Sequence, residues 1–169
     1  MPVPEAASIS DVLAGLEQAD LERGKESFFQ QHGGAGCATC HRVRGQGSEV
    51  APDLSGVGTR LTPENMVRAI LEPSAAITEG YATQLLLTTD GRTHTGAVIR
   101  ESDSAITILR SDGTHLTFKS EIIEARKRLK VSVMPTGYEL FGVQRLADLT
   151  AWLLTLRDGG TSMRTDGSE

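Results

Sequence analysis

The feature that most constrains this chain of 169 residues is the run Cys37-Ala38-Thr39-Cys40-His41. Two thiols that are separated by two residues, with a histidine directly after the second thiol, form the attachment sequence for c-type haem. In that chemistry the thiols add to the two vinyl groups of the porphyrin, and the adjacent histidine ligates the iron. The chain has two cysteines in all, so a disulfide framework is excluded.

Two other interpretations of the cysteine pair stay open. A redox-active C-x-x-C usually occurs within βαβ units, but here a helical pattern precedes Cys37 and no parallel sheet is predicted. A structural zinc site needs two further ligands, and the remaining histidines, His32, His94 and His115, show no paired spacing. We therefore favour haem attachment.

A haem iron that is bound by His41 needs a ligand on its other face. The candidates are two methionines and three histidines: Met66, Met134, His32, His94 and His115. Met134 is the best of them, because it stands outside any helical pattern and Pro135 fixes the backbone of the loop that follows. Met66 falls on the inner face of a predicted helix, which favours packing. Two of the histidines fall in strand patterns, where a surface position is the simpler interpretation.

The overall composition excludes several classes of protein. The net charge is −5 and the isoelectric point is near 5.4, which argues against a broad nucleic-acid footprint. No apolar run approaches the roughly 18 residues that a transmembrane helix needs, and Met1–Glu5 lacks the regions of a signal peptide. Four Phe, two Tyr and one Trp are few aromatic residues for a core, which predicts that another large group fills part of it.

Periodic apolar residues predict three helices, over Ser10–Gln31, Thr62–Glu72 and Leu140–Arg157. Either Ser10 or Asp20 can cap the first helix, and Thr62 followed by Pro63 is a good start for the second. The Gly- and Pro-rich stretch Gly45–Gly58 is expected to be an extended loop.

In the middle of the chain the spacing of the apolar residues changes to a period of two, which predicts an antiparallel meander of about four strands. The strands are Thr83–Thr89, Thr93–Arg100, Ala105–Arg110 and Thr114–Phe118. The dipeptides Asp90-Gly91 and Asp112-Gly113 are typical of hairpin turns. From Glu121 the chain is expected to leave the sheet. The basic cluster follows there, and it consists of Arg126, Lys127, Arg128 and Lys130.

Taken in order, these motifs resemble those of the class I c-type cytochromes. The matching residues are Gly24, Phe28, Cys37, Cys40, His41, Pro52, Arg60, Met134 and Trp152. The resemblance implies that the glycine and phenylalanine of the first helix cross Trp152 of the last. It also implies that the carbonyl of Pro52 accepts a hydrogen bond from Nδ1–H of His41, which orients the ring. By the same resemblance, Arg60 binds a haem propionate.

Further segments resemble the haem-binding domain of the Pirellula/Verrucomicrobium type, over roughly residues 20–158. They are Arg44–Val50, Pro73–Ile77, Asp90-Gly91 and Ser132–Pro135. Ala51 departs from that family, which has a glycine at this point of the loop. The family often forms the C-terminal module of large secreted proteins with dehydrogenase-like domains. The resemblance therefore implies a periplasmic or otherwise extracytoplasmic location.

The predicted fold is mainly α: a cytochrome c-like helical haem domain with a small antiparallel β insertion, hence α+β overall. The haem domain is discontinuous, over residues 10–79 and 127–158, and the insertion is the β-meander of residues 80–126. Residues 1–9 and 159–169 are predicted to be flexible ends.

The predicted function is one-electron transfer by a single covalent haem c, with no catalytic turnover. Cys37 and Cys40 form the thioethers, and His41 and Met134 are the axial iron ligands. The remaining residues of the predicted haem pocket are Pro52, Leu54, Arg60 and Met66. The predicted partners are redox proteins or a fused dehydrogenase domain, without nucleic acid or a membrane span, and the insertion is a candidate dimer surface. The alternative is a five-coordinate haem sensor or haem enzyme, with Met134 off the iron.

Overall fold

Helices occupy both ends of the described chain, and a sheet lies between them in sequence. The computed structural model describes residues 6–30 and 36–157. His32, residues 1–5 of the predicted leader and the predicted tail at 159–169 lie outside the described residues.

The described residues form five α-helices and seven strands. The helices are α1 (Ile9–Gly15), α2 (Leu21–Phe29), α3 (Val57–Arg60), α4 (Pro63–Leu71) and α5 (Val143–Thr155). The strands are β1 (Arg42–Val43), β2 (Gln46–Gly47), β3 (Ala82–Thr88), β4 (Thr93–Glu101), β5 (Ala105–Leu109), β6 (His115–Lys119) and β7 (Ile123–Ser132). None of the described helices is both long and apolar enough to cross a membrane.

Strands β3 to β7 make one antiparallel sheet in the order β6-β5-β4-β3-β7. The last strand returns to the first, with Ser132 opposite Ala82 and Ile123 opposite Thr88. The prediction of four strands, with the chain leaving the sheet at Glu121, is therefore wrong. The charged run hid the fifth strand because it lies at a sheet edge, where exposed Lys and Arg side chains are tolerated. The domain boundary predicted between residues 126 and 127 falls inside this strand.

The single helix predicted at the start of the chain is two helices. Ser8 caps α1 by accepting a hydrogen bond from the N–H of Asp11, and the Asp11 side chain bonds back to Ser8. A 3₁₀ turn follows, and then Ala19 is extended, with φ −71° and ψ 139°. Asp20 caps the next helix by accepting from the N–H of Arg23 at 2.9 Å. Because an N-cap residue such as Asp20 has extended backbone angles, one helix cannot continue through this position.

Helices α2 and α5 cross at Gly24. A Cβ at this position would lie 2.1 Å from the carbonyl oxygen of Asp148 and 2.9 Å from Cβ of Trp152, so only glycine permits this approach. The rings of Phe28 and Trp152 meet beside the crossing, with centroids 5.2 Å apart. The crossing that the resemblance implies is therefore present.

Two clusters of buried apolar side chains result from this arrangement. The larger one joins the helices and includes Val12, Phe28, Met66, Leu146 and Leu153. The smaller one lies in the sheet and consists of Leu86, Ile106 and Ile108, with half-buried neighbours such as Leu116 and Phe118. The chain is thus α+β, with a helical part and a five-stranded sheet.

Candidate functional site

A cavity of about 470 Å³ lies where the cysteine segment, α4, the end of α5 and the loop after β7 meet. The three chemically reactive residues of the attachment sequence, Cys37, Cys40 and His41, line its wall. The other predicted site residues line it too, namely Pro52, Leu54, Arg60, Met66 and Met134. Its size is within the range of ordinary ligand sites, roughly 300–1,000 Å³.

The cysteine segment is a 3₁₀ turn that presents both thiols on one side. Cys37–Thr39 form the turn, and the N–H groups of Cys40 and His41 both donate to the carbonyl of Cys37, at 3.1 and 2.8 Å. Both thiols are free. Burial raises the pKa of Cys37 to about 11 and also raises that of Cys40. Both side chains are therefore neutral thiols at physiological pH.

The His41 ring is fixed by the loop that follows it. Its Nδ1 lies 2.8 Å from the carbonyl oxygen of Pro52, which is the contact that the resemblance implies. The loop is itself pinned, because the N–H of Ala51 donates to Cys40 and that of Leu54 donates to Arg42, both at 2.9 Å.

With Nδ1 used in this way, Nε2 of His41 is the nitrogen that can ligate a metal. Burial lowers the pKa of His41, and the hydrogen bond to the Pro52 carbonyl opposes that effect. The neutral ring, which is the ligating form, is thus favoured.

The segment predicted as an extended loop has local structure of its own. Within Gly45–Gly58, strand β2 pairs with β1 as a two-residue hairpin, and the segment ends in the first residues of α3. Arg60, in the last turn of α3, lines the cavity and donates from Nη2 to the carbonyl of Asp53 at 3.0 Å. The guanidinium is therefore held at the cavity wall by the same loop that orients His41.

The two methionines at the cavity differ in their setting. Met66 is buried on α4, in the interior of a helix that Thr62 caps by accepting from the N–H of Asn65 at 3.3 Å. Met134 lies in the loop after β7, and its N–H donates to Oγ of Ser132 at 3.1 Å. A loop position leaves Met134 more freedom to approach a bound group than a helical position gives Met66.

Several predicted residues lie away from the cavity. Phe28 and Trp152 pack at the helix crossing and are not part of the described cavity wall. His94 lies in the sheet, where its ring contacts that of Phe118 with centroids 4.5 Å apart. His115 is exposed on β6. Within the described part of the chain, no group of three or more His, Cys, Asp or Glu side chains is arranged to hold a metal ion.

Sequence reasoning missed many residues of the cavity wall, and Tyr138, Leu109 and Arg110 are three of them. Tyr138 is 9% exposed, and burial raises its pKa to about 12. The aromatic residues Tyr138 and Phe141 just before the last helix were a usable signal. Leu109 and Arg110, at the end of β5, reach the cavity from the sheet. No local pattern points to them, because their contact depends on how the sheet is placed.

The donor set of this cavity fits a covalently attached haem. Two thiols and an imidazole with a fixed tautomer line one wall, and most of the remaining lining is apolar. Arg60 and Arg110 are its arginines, and the described lining contains no carboxylate. A haem presents two vinyl groups, an iron and two propionates, so each of these groups has a matching partner in the wall.

Comparisons with known proteins agree with that fit over the first part of the chain. No curated protein matches the sequence. Residues 21–95 match the family model described as Cytochrome c. The matched range begins at α2 and ends within β4, so it contains the attachment sequence but stops before Met134. The match supports a c-type cytochrome, a haem-binding protein of electron transfer.

Proposed function

We propose that this chain is a mono-haem electron-transfer module whose iron is ligated by His41 and Met134. Cys37 and Cys40 carry the two thioether bonds. The observation that carries the proposal is the convergence on one cavity of both thiols, the fixed imidazole and Met134. These residues are separated by almost a hundred positions in the chain, so their meeting is a property of the fold.

The bound haem supplies a one-electron redox centre. The protein orients His41 through Pro52, keeps both thiols neutral before attachment and surrounds the ring with apolar side chains. A thioether ligand and exclusion of water both favour the reduced iron and raise the potential. Leu54 and Met66 provide part of the apolar wall, and Arg60, which lines the same cavity, binds a propionate.

The electron partners follow from the resemblance and from the charge of the sheet edge. A dehydrogenase-like donor and a second redox protein would meet the haem in small, transient interfaces, at a periplasmic or otherwise extracytoplasmic location. Strand β7 carries Lys127, Arg128 and Lys130 as exposed side chains, while Arg126 is paired with Glu101 at 2.7 Å. Because β7 runs directly into the Met134 loop, this basic edge would steer an acidic partner towards the cavity.

Absorption spectra of oxidised and reduced protein, made with the haem-maturation machinery, test the proposal. The wild type should show a low-spin six-coordinate c-type haem. Met134→Ala should lose methionine ligation and become five-coordinate or high-spin. Met66→Ala is the matched control, because Met66 also lines the cavity and its loss should leave the ligation intact.

The outcomes separate the candidates. The absence of haem bands would contradict the cytochrome assignment. An unchanged spectrum for Met134→Ala would contradict only the assignment of Met134 as the sixth ligand, and it would favour the five-coordinate sensor or enzyme. Unchanged salt dependence of electron transfer after the charges of Lys127, Arg128 and Lys130 are neutralised would contradict steering.

A further inference from the structure

The sheet reaches the cavity from its β5 end. Leu109 is the last residue of β5 and is 1% exposed, and with Arg110 it lines the cavity. Residues 110–114 form the β5–β6 turn. The turn is tightly closed, since the N–H of Arg110 donates to Thr114 at 2.9 Å and the N–H of Gly113 donates to Arg110 at 3.0 Å.

The same turn lies against the cysteine segment. A Cβ at Gly113 would lie 2.9 Å from Cγ2 of Thr39, and Thr39 is one of the two residues between Cys37 and Cys40. Asp112 holds the turn in shape by accepting from the N–H of Thr114 at 2.9 Å. A closed turn of the sheet therefore lies against the attachment sequence at the side chain of Thr39.

The sheet is also tied to the opposite side of the cavity. The N–H of Ser132, the last residue of β7, donates to Oγ of Ser74 at 3.0 Å, and Oγ of Ser132 accepts from the N–H of Met134. Ser132 and Val133 line the cavity there. The sheet thus spans the cavity from the cysteine side to the methionine side.

We propose that the β5–β6 turn is a wall of the haem site that restricts access of water and small redox molecules at the Cys37–Cys40 side. The identity of the bound group in this inference rests on the proposed function. The contact between the turn and Thr39 does not depend on it. The inference gives the sheet a role. The sheet screens the cofactor, so that electrons pass to partners that contact the sheet or its borders. Exposure to solvent is one of the properties through which a protein sets a haem potential.

The test compares two alanine substitutions in turns of the same kind. Gly113 has φ +81° and Gly91 has φ +79°, and both follow an aspartate in a hairpin turn. A Cβ at Gly91 would meet nothing within 4 Å. Gly113→Ala and Gly91→Ala therefore share the backbone strain, and only the first puts a Cβ against Thr39, so that the contact between the turn and Thr39 must shift.

Two measurements are made on the holoprotein: oxidation of the reduced form by ferricyanide in stopped flow, and amide hydrogen exchange of residues 36–44. Gly113→Ala should oxidise several-fold faster than Gly91→Ala and exchange faster in that segment. Adding Thr39→Ser, which removes Cγ2 and keeps the hydroxyl, should bring both values back towards the wild type. If either measurement is the same in Gly113→Ala and Gly91→Ala, the wall is overturned.

The exchange measurement also separates this inference from the proposed function. If the protein carries no haem, the proposed function fails, while exchange of residues 36–44 in the two variants still decides whether the turn covers the segment.

Discussion

The helical part and the sheet of this molecule build their interiors in different ways. The buried side chains of the helical part, residues 6–30, 36–79 and 133–157, surround a cavity of about 470 Å³. The sheet, residues 80–132, has a small cluster of its own around Leu86, Ile106 and Ile108 and a ladder of antiparallel strand pairs that bulges interrupt in two pairs.

The difference teaches where stability comes from in each part. A helical core that surrounds a cavity of this size gains part of its packing contacts from the group that the cavity holds, so we expect its stability to depend on that group. Strands paired along their length and packed on their own apolar face satisfy their backbone and core locally. We expect the helical part to need haem and the sheet not to need it.

The largest expected effect comes from removing the haem. The double substitution Cys37→Ser with Cys40→Ser should abolish covalent attachment and leave the helical part poorly folded, since a ligand that binds the native state stabilises it. The sheet should keep its hydrogen-exchange protection. Exchange resolved by region, with the wild-type holoprotein as control, checks this; equal loss of protection in both parts would break the comparison.

The second-largest expected effect comes from a substitution in the core of the sheet. Leu86 is 0% exposed, so Leu86→Ala should lower the free energy of unfolding of the sheet by about 2–5 kcal/mol. The haem absorption spectrum should stay the same, because Leu86 does not line the cavity. Leu116→Ala, at a half-buried position of the same sheet, should cost less. If Leu86→Ala loses the haem spectrum as well as the stability of the sheet, the two parts fold as one unit.

A third substitution tests the helical crossing. In an exposed helix, replacing glycine with alanine stabilises by roughly 1 kcal/mol. At Gly24 the new Cβ would lie 2.1 Å from the carbonyl oxygen of Asp148, so Gly24→Ala should instead destabilise the helical part by about 1–3 kcal/mol or more. Chemical denaturation followed at the haem band measures this, with Lys25→Ala on the exposed side of α2 as control. A stabilised Gly24→Ala would show that α2 and α5 do not cross closely.

The smallest effect comes from the buried carboxylate beside that crossing. Asp148 accepts hydrogen bonds from the N–H of Asp20 and from Nε of Arg23, both at 2.8 Å, and from Gln144 at 2.9 Å. Asp148→Asn should cost about 1–2 kcal/mol at neutral pH, since the Arg23 side chain is 56% exposed and water screens the pair.

The pH dependence of that contribution has a definite sign. Burial raises the pKa of Asp148, but the hydrogen bonds from Arg23, Asp20 and Gln144 outweigh it, so the folded-state pKa is below 3.8. The stabilisation is therefore present above the unfolded pKa and is lost as the pH falls through the folded pKa. Acid denaturation of the wild type and of Asp148→Asn should converge at low pH; a constant difference down to the acid limit would contradict this.

Local chemistry explains what could be predicted and what could not. The hairpin turns at Asp90-Gly91 and Asp112-Gly113, and the start of α4 at Thr62, follow from residues that are adjacent in sequence, and all three are present. The fifth strand could not be recognised, because its charged residues carry no alternating apolar pattern. The break in the first helix also escaped prediction, because the apolar spacing continues across Ala19.

The sequence by itself determined which reactive groups are available: two thiols, an adjacent histidine and a methionine–proline pair, which are the kinds of group that can tether a haem and ligate its iron. Only the tertiary structure decided that these groups share one cavity, and that Ser132 of the sheet and Arg110 border it. The physical reason is distance along the chain. Turns, caps and attachment sequences are encoded by neighbours, whereas a cavity wall is assembled from segments whose approach depends on how every buried face packs.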